Sequence, residues 1–250
     1  MYNPKAKLCL LVVGMHRSGT SSLAGGLAEC GLLFGDNLLE PLKDNPKGFF
    51  EDKDILAFND RLLHSLGGSW HQPYKVDFDH LLSRKTIDEL KRILSETFYS
   101  YHVFGLKEPR ISLLLPLYDV AFSELGWRVN YLIIHRNNYE IAQSMNKRGN
   151  MHVHVGLYLA RIYKQKVNKF FRNQNRSCLT IQYSDYVQNP VSVFEMIDSH
   201  FPDVIDRSKF RDASRFVDKQ LIHNRFKFHL KAVLNQVKSY LYGCYRLFIR

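Results

Sequence analysis

The 250-residue sequence has few cysteines, no low-complexity tract and no long apolar segment. Its four cysteines include no C-x-x-C pair, which argues against a disulfide framework and against a zinc site. The apolar run from Leu8 to Val13 is too short for a signal sequence or a membrane span. With no internal repeat or linker either, we predict one domain over residues 1–250, with reduced thiols, in the cytoplasm.

Acidic residues are also too few to balance the basic ones. The chain has 35 Lys and Arg against 24 Asp and Glu, a net charge of +11. Such a surface favours an anionic partner, and charge alone does not choose among a nucleotide, a polyanion, an anionic membrane and nucleic acid. Residues 219–250 are basic and rich in aromatics, and their apolar positions can form a helical stripe: Val233, Val237, Leu241 and Leu247. We predict an amphipathic helical segment there, either docked on the domain or in peripheral contact with the inner face of a membrane.

Apolar runs alternate with amphipathic segments along the chain. Short apolar runs predict buried strands at 8–13, 101–106, 129–134 and 178–183. Helical spacing marks the segments 21–30, 55–66, 86–99, 139–148 and 153–171. Ser184 is positioned to cap a further helix, in which Pro190 marks a break or a new start. Alternation of this kind predicts an α/β fold, a three-layer sandwich with a mostly parallel central sheet and helices on both faces.

A glycine-containing loop joins the first predicted strand to the first helix. It reads Gly14-Met15-His16-Arg17-Ser18-Gly19-Thr20-Ser21. A loop in this position directs backbone N–H groups and a helix N-terminus at one point, which binds phosphate. Nucleotide triphosphatase loops carry lysine after the second glycine, whereas here Thr20 stands there and the cation is Arg17. The pattern predicts an anion site; the alternative is a turn with incidental hydroxyls.

The third predicted strand ends in a cation. His135 and Arg136 follow it, where a P-loop triphosphatase usually has a metal-holding aspartate. Arg136 suits a second anionic group, and its spacing to Ser144 lets both residues reach the same edge of the sheet. Asp119 follows another apolar run, but Pro116 interrupts that run and argues against a central strand. The sequence therefore predicts two separate anion sites and no metal.

Taken together, these motifs resemble those of sulfotransferases that use 3′-phosphoadenosine 5′-phosphosulfate (PAPS). The loop Arg17-Ser18-Gly19-Thr20-Ser21 looks like the family's 5′-phosphosulfate loop, and Arg136 with Ser144 looks like its 3′-phosphate pair. Segments 45–51, 105–110 and 183–190 resemble parts of microbial sulfotransferases that modify carbohydrates or related metabolites. The resemblance spans Leu8 to Pro190. It implies a P-loop NTPase-like fold that binds PAPS, releases 3′,5′-diphosphoadenosine (PAP) and needs no metal.

The resemblance also implies sulfuryl transfer to a hydroxyl or amine of a carbohydrate, a glycolipid or a small molecule. Because such an in-line displacement depends on positioning and charge stabilisation, we assign Arg17 to the bridging oxygen and the sulfuryl group. The acceptor needs a base, for which Glu51 is the first choice and Glu108 the alternative, with Lys107 as a second sulfuryl contact. Glu51 could instead be a solvated loop carboxylate or a charge at a helix start.

Other histidines and one tryptophan are weaker candidates. His16 could touch the donor or be an exposed turn residue, and Trp70 could line the acceptor cleft or pack in the core. His152 and His154 alternate like metal ligands, but no carboxylate or cysteine completes the set.

Two other functions stay open on sequence alone. One is a small-molecule kinase that uses Mg²⁺–ATP, against which the missing loop lysine counts. The other is a non-enzymatic polyanion binder that uses the net charge of +11. A nucleic-acid partner is not predicted, since only residues 219–250 approach a basic, aromatic platform.

Overall fold

A parallel sheet lies at the centre of the part of the chain that the computed structural model describes, residues 6–42, 45–174, 176 and 178–217. Its strands are β1 (Leu8–Val13), β2 (Val103–Leu106), β3 (Arg128–His135) and β4 (Cys178–Gln182). They pair in the order β2-β1-β3-β4, and every pair is parallel. Leu10 of β1 is in register with Gly105 on one side and Asn130 on the other.

Helices connect these strands. In chain order they are α1 (Thr20–Glu29), α2 (Lys53–Ser65), α3 (Arg84–Thr97), α4 (Ile111–Glu124), α5 (Asn138–Gly149), α6 (Val153–Gln174), α7 (Tyr183–Gln188), α8 (Pro190–His200) and α9 (Phe210–Ala213). Each helix that the spacing predicts is present, with ends shifted by a few residues. Pro190 is the first residue of α8, where its missing N–H costs nothing.

The sheet separates two hydrophobic cores. Alternate residues of β1 point to opposite faces, as a strand requires, so Cys9 and Leu11 join one core while Leu10 and Val12 join the other. Helices α2 to α6 cover the first face, and α1, α7, α8 and α9 cover the second. The predicted three-layer α/β sandwich is confirmed.

Helix α4 has no counterpart among the predicted elements, because Pro116 interrupts its apolar sequence. Pro116 lies inside the helix, where a proline costs about 3 kcal/mol. Leu113, Leu114 and Leu117 around it are at most 2% exposed. Burying such side chains contributes about 1.5–3 kcal/mol each, which outweighs the lost hydrogen bond.

The predicted capping role of Ser184 is wrong. Helix α7 begins one residue earlier, at Tyr183, with Gln182 in the capping position. Ser184 therefore lies in the first turn, where its hydroxyl donates to Asp185 Oδ1 at 3.0 Å.

The basic segment 219–250 lies outside the described residues, so its helix and its membrane contact stay predictions. Within the described ranges, none of the helices combines the length and the apolar character that crossing a membrane requires.

The strand order places the candidate site. From β1 the chain passes through helices to β2, which lies on one side of β1. It then passes through a further helix to β3, which lies on the other side of β1. The carboxyl ends of β1 and β3 are therefore neighbours at a point where the direction of winding reverses, the usual ligand site of open parallel sheets.

Candidate active site

The loop after β1 is shaped by residues in left-handed backbone conformations. Arg17 has φ 67° and Gly19 has φ 102°. A Cβ on Gly19 would lie 2.3 Å from the ring of Tyr183, so only glycine fits there. The Ser18 hydroxyl donates to the Met15 carbonyl at 2.7 Å and closes the turn. This conformation carries the chain from the end of β1 into the first turn of α1.

The two predicted anion sites lie side by side in one cleft. Arg17 Nε donates to Ser144 Oγ at 2.9 Å, and Arg136 Nη1 donates to the Arg17 carbonyl at 3.1 Å. Arg136 also pairs with Glu140 at 2.9 Å, and its guanidinium lies 4.5 Å from the centre of the Tyr183 ring. The residues predicted for the two sites are therefore in direct contact. They touch because β1 and β3 are adjacent strands, so the loop after one meets the helix after the other.

A cleft of about 600 Å³ opens at this edge of the sheet. The sequence-predicted residues that line it are Arg17, Gly19, Thr20, Ser21, Glu51, Lys107, Arg136 and Ser144. Ser18 and Glu108 do not line it. Ser18 is 2% exposed, since its hydroxyl is turned back to close the loop.

Lys107 is a buried cation in the wall of the cleft. It follows the last residue of β2, and only 1% of the residue is exposed. Its ammonium group donates to Ser21 Oγ and to the Phe49 carbonyl, each at 2.8 Å, and forms an ion pair with Glu51. Burial lowers the pKa of Lys107, while the charge of Glu51 opposes that shift. Lys107 thus joins α1 to the loop that precedes α2.

Glu51 is held just before α2. Phe50 has φ 57°, and the Glu51 carbonyl accepts from the Leu39 backbone N–H at 2.8 Å. Asp52 then caps the helix, because its Oδ1 accepts from the N–H groups of Asp54 and Ile55. Glu51 is 6% exposed, so it is neither a solvated loop carboxylate nor the charge that caps the helix.

Glu108 faces the core behind the cleft. It is 1% exposed, and it accepts from Asn59 Nδ2 at 2.7 Å and from Arg110 Nη1 at 2.6 Å. Asn59 in turn accepts from the Tyr118 hydroxyl at 2.8 Å. Burial raises the pKa of Glu108 to about 7, although the charge of Arg110 opposes the rise. Its partners make Glu108 part of a buried polar network.

His16 lines the cleft and is backed by aromatic rings. Its ring centre lies 4.6 Å from that of Trp70 and 6.5 Å from that of Tyr163. Burial lowers the pKa of His16 well below its ordinary value, and the cations Arg110, Lys107, Arg148 and Arg17 lower it further. Both effects favour the neutral form of the imidazole. Trp70 packs behind it against the core and does not reach the cleft.

Tyr183, Arg148 and Arg110 also line the cleft, although the sequence motifs gave them no role. Tyr183 directly follows β4, just as Arg136 follows β3, and that position was a usable signal. Arg148 lies four residues after Ser144 on α5, so the two share a helix face. Arg110 closes the segment 105–110, whose resemblance drew attention only to Lys107 and Glu108.

No metal-binding group of His, Cys, Asp or Glu side chains is present within the described ranges, and this includes the surroundings of His152 and His154.

No protein-family model matches the sequence, and no curated protein matches it significantly. Solved structures do resemble it. The sulfotransferase domain from the curacin biosynthetic pathway superposes with a TM-score of 0.52 at 13% identity, over 94% of this chain and 98% of that one. The sulfotransferase domain from the Synechococcus PCC 7002 olefin synthase gives a TM-score of 0.49 at 14% identity, over 90% of this chain and 79% of that one. The resemblance that the motifs predicted is thus confirmed at the level of the fold.

Proposed function

We propose that this chain, which has the fold of sulfotransferase domains, transfers a sulfuryl group from PAPS to a hydroxyl or amine of a carbohydrate or glycolipid acceptor. The observation that carries the proposal is the meeting of Arg17 and Arg136 in one cleft at the carboxyl ends of β1 and β3. Two guanidinium groups at a phosphate-type loop suit a nucleotide with anionic groups at both ends.

The donor would be held through its anionic groups. Gly19, Thr20 and Ser21 line the cleft, and the N–H groups and hydroxyls of this loop suit the 5′-phosphosulfate. Arg136 and Ser144 suit the 3′-phosphate, which distinguishes PAPS from ordinary adenine nucleotides. We assign Arg17 to the bridging oxygen between the 5′-phosphate and the sulfuryl group, and its place in the loop between β1 and α1, lining the cleft, supports that role.

The chemistry would be an in-line displacement at sulfur. The acceptor oxygen forms the new S–O bond, the bond from sulfur to the bridging oxygen breaks, and PAP leaves with the negative charge. Arg17 stabilises that charge, and Lys107 stabilises the sulfuryl oxygens. Glu51 takes the proton from the acceptor, because it lines the cleft beside Lys107 whereas Glu108 faces the core. In this mechanism the side chains of Arg17, Lys107 and Glu51 supply the catalytic groups.

Variants of the two glutamates test the assignment of the base. Glu51→Gln should lower turnover by about 100-fold or more, the low end of the contribution of a general base, with the affinity for PAP nearly unchanged. Glu108→Gln is the matched control and should keep most of the turnover. Equal, near-native rates in both variants would discard Glu51 as the base.

Ligand titration separates the proposal from its competitors. PAP, Mg²⁺–ATP and single-stranded DNA are titrated into the protein at physiological salt. A sulfotransferase should prefer PAP, and this preference should not depend on Mg²⁺. Preference for Mg²⁺–ATP would instead favour a kinase, and preference for DNA a non-enzymatic polyanion binder.

The place of action is part of the proposal. We propose a cytoplasmic enzyme whose segment 219–250 either docks on the domain or contacts the inner face of the membrane. Flotation with anionic liposomes at low salt compares the full chain with a truncation after Asp218. Flotation of the full chain alone would support the membrane contact, and no flotation of either would remove it.

A further inference from the structure

We propose that Ser112 is a positioning residue for the sulfuryl donor. It holds the start of the donor loop, residues 14–21, in the conformation that binds the 5′-phosphosulfate, and it does so without touching the donor itself. The inference rests on the proposed function, because it concerns the donor site of that reaction. It adds a residue that the sequence motifs do not include and assigns its effect to one end of the donor.

Ser112 accepts a hydrogen bond from the first residue of the donor loop. The Gly14 backbone N–H donates to Ser112 Oγ at 3.1 Å, although 98 residues separate the two in the sequence. Both residues are buried, and Ser112 is only 2% exposed. Because a buried N–H needs a hydrogen-bond partner from the protein, the hydroxyl of Ser112 fixes where the loop begins.

The Ser112 hydroxyl is attached to an ordered helical turn. Ser112 is the second residue of α4, and its backbone N–H donates to the Pro109 carbonyl at 3.1 Å. The next N–H, that of Leu113, donates to the Arg110 carbonyl at 2.9 Å. Hydrogen bonds within the turn therefore hold the group that accepts from Gly14.

The donor loop folds directly over Gly14. A Cβ on Gly14 would lie 2.7 Å from Ser18 Oγ and 2.8 Å from Thr20 Cγ2. Ser18 closes the turn, and Thr20 lines the cleft. With contacts this close, a displacement of Gly14 would also move Thr20 and the neighbouring N–H groups. Ser112 does not line the cleft, so it acts on the donor through the loop.

The segment 107–112 holds the donor loop at both of its ends. At the end of the loop, Lys107 Nζ donates to Ser21 Oγ at 2.8 Å. At its start, Ser112 accepts from Gly14. One short segment thus fixes the loop at two points before the donor binds. Such preorganisation matters, because hydrogen-bond donors stabilise an anion best when they are already in place.

The effect of Ser112 should be confined to the 5′ end of the nucleotide. The donor loop is assigned to the 5′-phosphosulfate, whereas the 3′-phosphate is assigned to Arg136 and Ser144. Removing the Ser112 hydroxyl should therefore weaken binding at the 5′ end and spare binding at the 3′ end. A loss of stability alone would leave the affinities of the folded protein for both ends unchanged.

Three nucleotides separate the two ends. PAP, 5′-AMP and 3′-AMP are titrated into wild type and Ser112→Ala and followed by NMR. In the variant, PAP and 5′-AMP should bind about tenfold more weakly, as the loss of one hydrogen bond to a charged phosphate implies. The nucleotide 3′-AMP lacks the 5′-phosphate and should bind within about twofold of wild type. One N–H without a partner removes only a fraction of a typical unfolding free energy, so the variant should fold, which circular dichroism checks.

Ser69→Ala is the matched control. Ser69 is 4% exposed, and its Oγ accepts from the Gln72 backbone N–H at 3.2 Å within its own turn. This variant loses the same kind of bond away from the donor loop and should keep all three affinities within about twofold. An unchanged affinity for PAP in Ser112→Ala would overturn the inference alone, and so would an equal loss for 3′-AMP. Failure of wild type to bind PAP would instead overturn the proposed function, and this inference with it.

Discussion

Replacing Lys107 by methionine tests the buried ion pair on which the cleft depends. Methionine keeps most of the side-chain volume but removes the charge and the contacts with Ser21, Phe49 and Glu51. The side chains of Lys107 and Glu51 are 1% and 8% exposed, so the substitution leaves a carboxylate buried without its partner. Breaking a buried pair in this way costs about 3–5 kcal/mol, a large part of a typical unfolding free energy of about 5–15 kcal/mol.

Urea unfolding followed by circular dichroism and by fluorescence measures this cost. The double variant Lys107→Met with Glu51→Gln leaves no unpaired charge. Its loss of unfolding free energy should therefore be smaller than the sum of the losses in the two single variants, by at least about 2 kcal/mol. Lys91→Met is the matched control, because Lys91 pairs with Glu124 at 2.8 Å near the surface and such pairs contribute about 1 kcal/mol or less. Two results would contradict the description of Lys107 and Glu51 as a buried ion pair. One is a loss of unfolding free energy in Lys107→Met no larger than that in Lys91→Met, and the other is a double variant whose loss equals the sum of the two single losses.

Two further predictions concern the loop and the buried network. Gly19→Ala should destabilise the protein by about 1–2 kcal/mol or more and weaken PAP binding, because its Cβ would clash with the Tyr183 ring at positive φ. Gly149→Ala, whose Cβ would meet nothing within 4 Å, should be near neutral, and similar effects of both changes would contradict the account of the loop. The pKa of Glu108 in the folded protein, about 7, exceeds the ordinary 4.5, so the fold favours the protonated carboxyl. The resulting contribution to the unfolding free energy is complete below pH 4.5 and is lost as the pH rises through 7. The unfolding free energy of Glu108→Gln relative to wild type should therefore rise by up to about 3 kcal/mol between pH 4.5 and 8, and a flat difference would exclude the raised pKa.

The fold and part of the site could be predicted because they depend on local signals. Buried strands appear in the sequence as short apolar runs, and residues that directly follow parallel strands meet at one edge of the sheet. Arg17, Lys107 and Arg136 come after β1, β2 and β3, and all three line the cleft. Their position along the chain was sufficient to group them.

The rest depends on tertiary contacts that have no local signal. Lys107 and Glu108 are consecutive, yet one lines the cleft and the other faces the core. Consecutive side chains on extended backbone point to opposite sides, so a difference was predictable, but its direction was not. Helix α4 forms around Pro116 only because its leucines find a core to enter.

The most direct test of the central claim compares PAP with 5′-AMP, which lacks the 3′-phosphate, in wild type and in Arg136→Gln without divalent ions. Wild type should bind PAP about 100-fold or more tightly, as a pair of charged hydrogen bonds implies. In Arg136→Gln the affinities for PAP and 5′-AMP should agree within about threefold, because the variant has lost the charged group that binds the 3′-phosphate. Equal binding of both nucleotides by wild type, or an undiminished preference in the variant, would contradict the assignment of this cleft to PAPS.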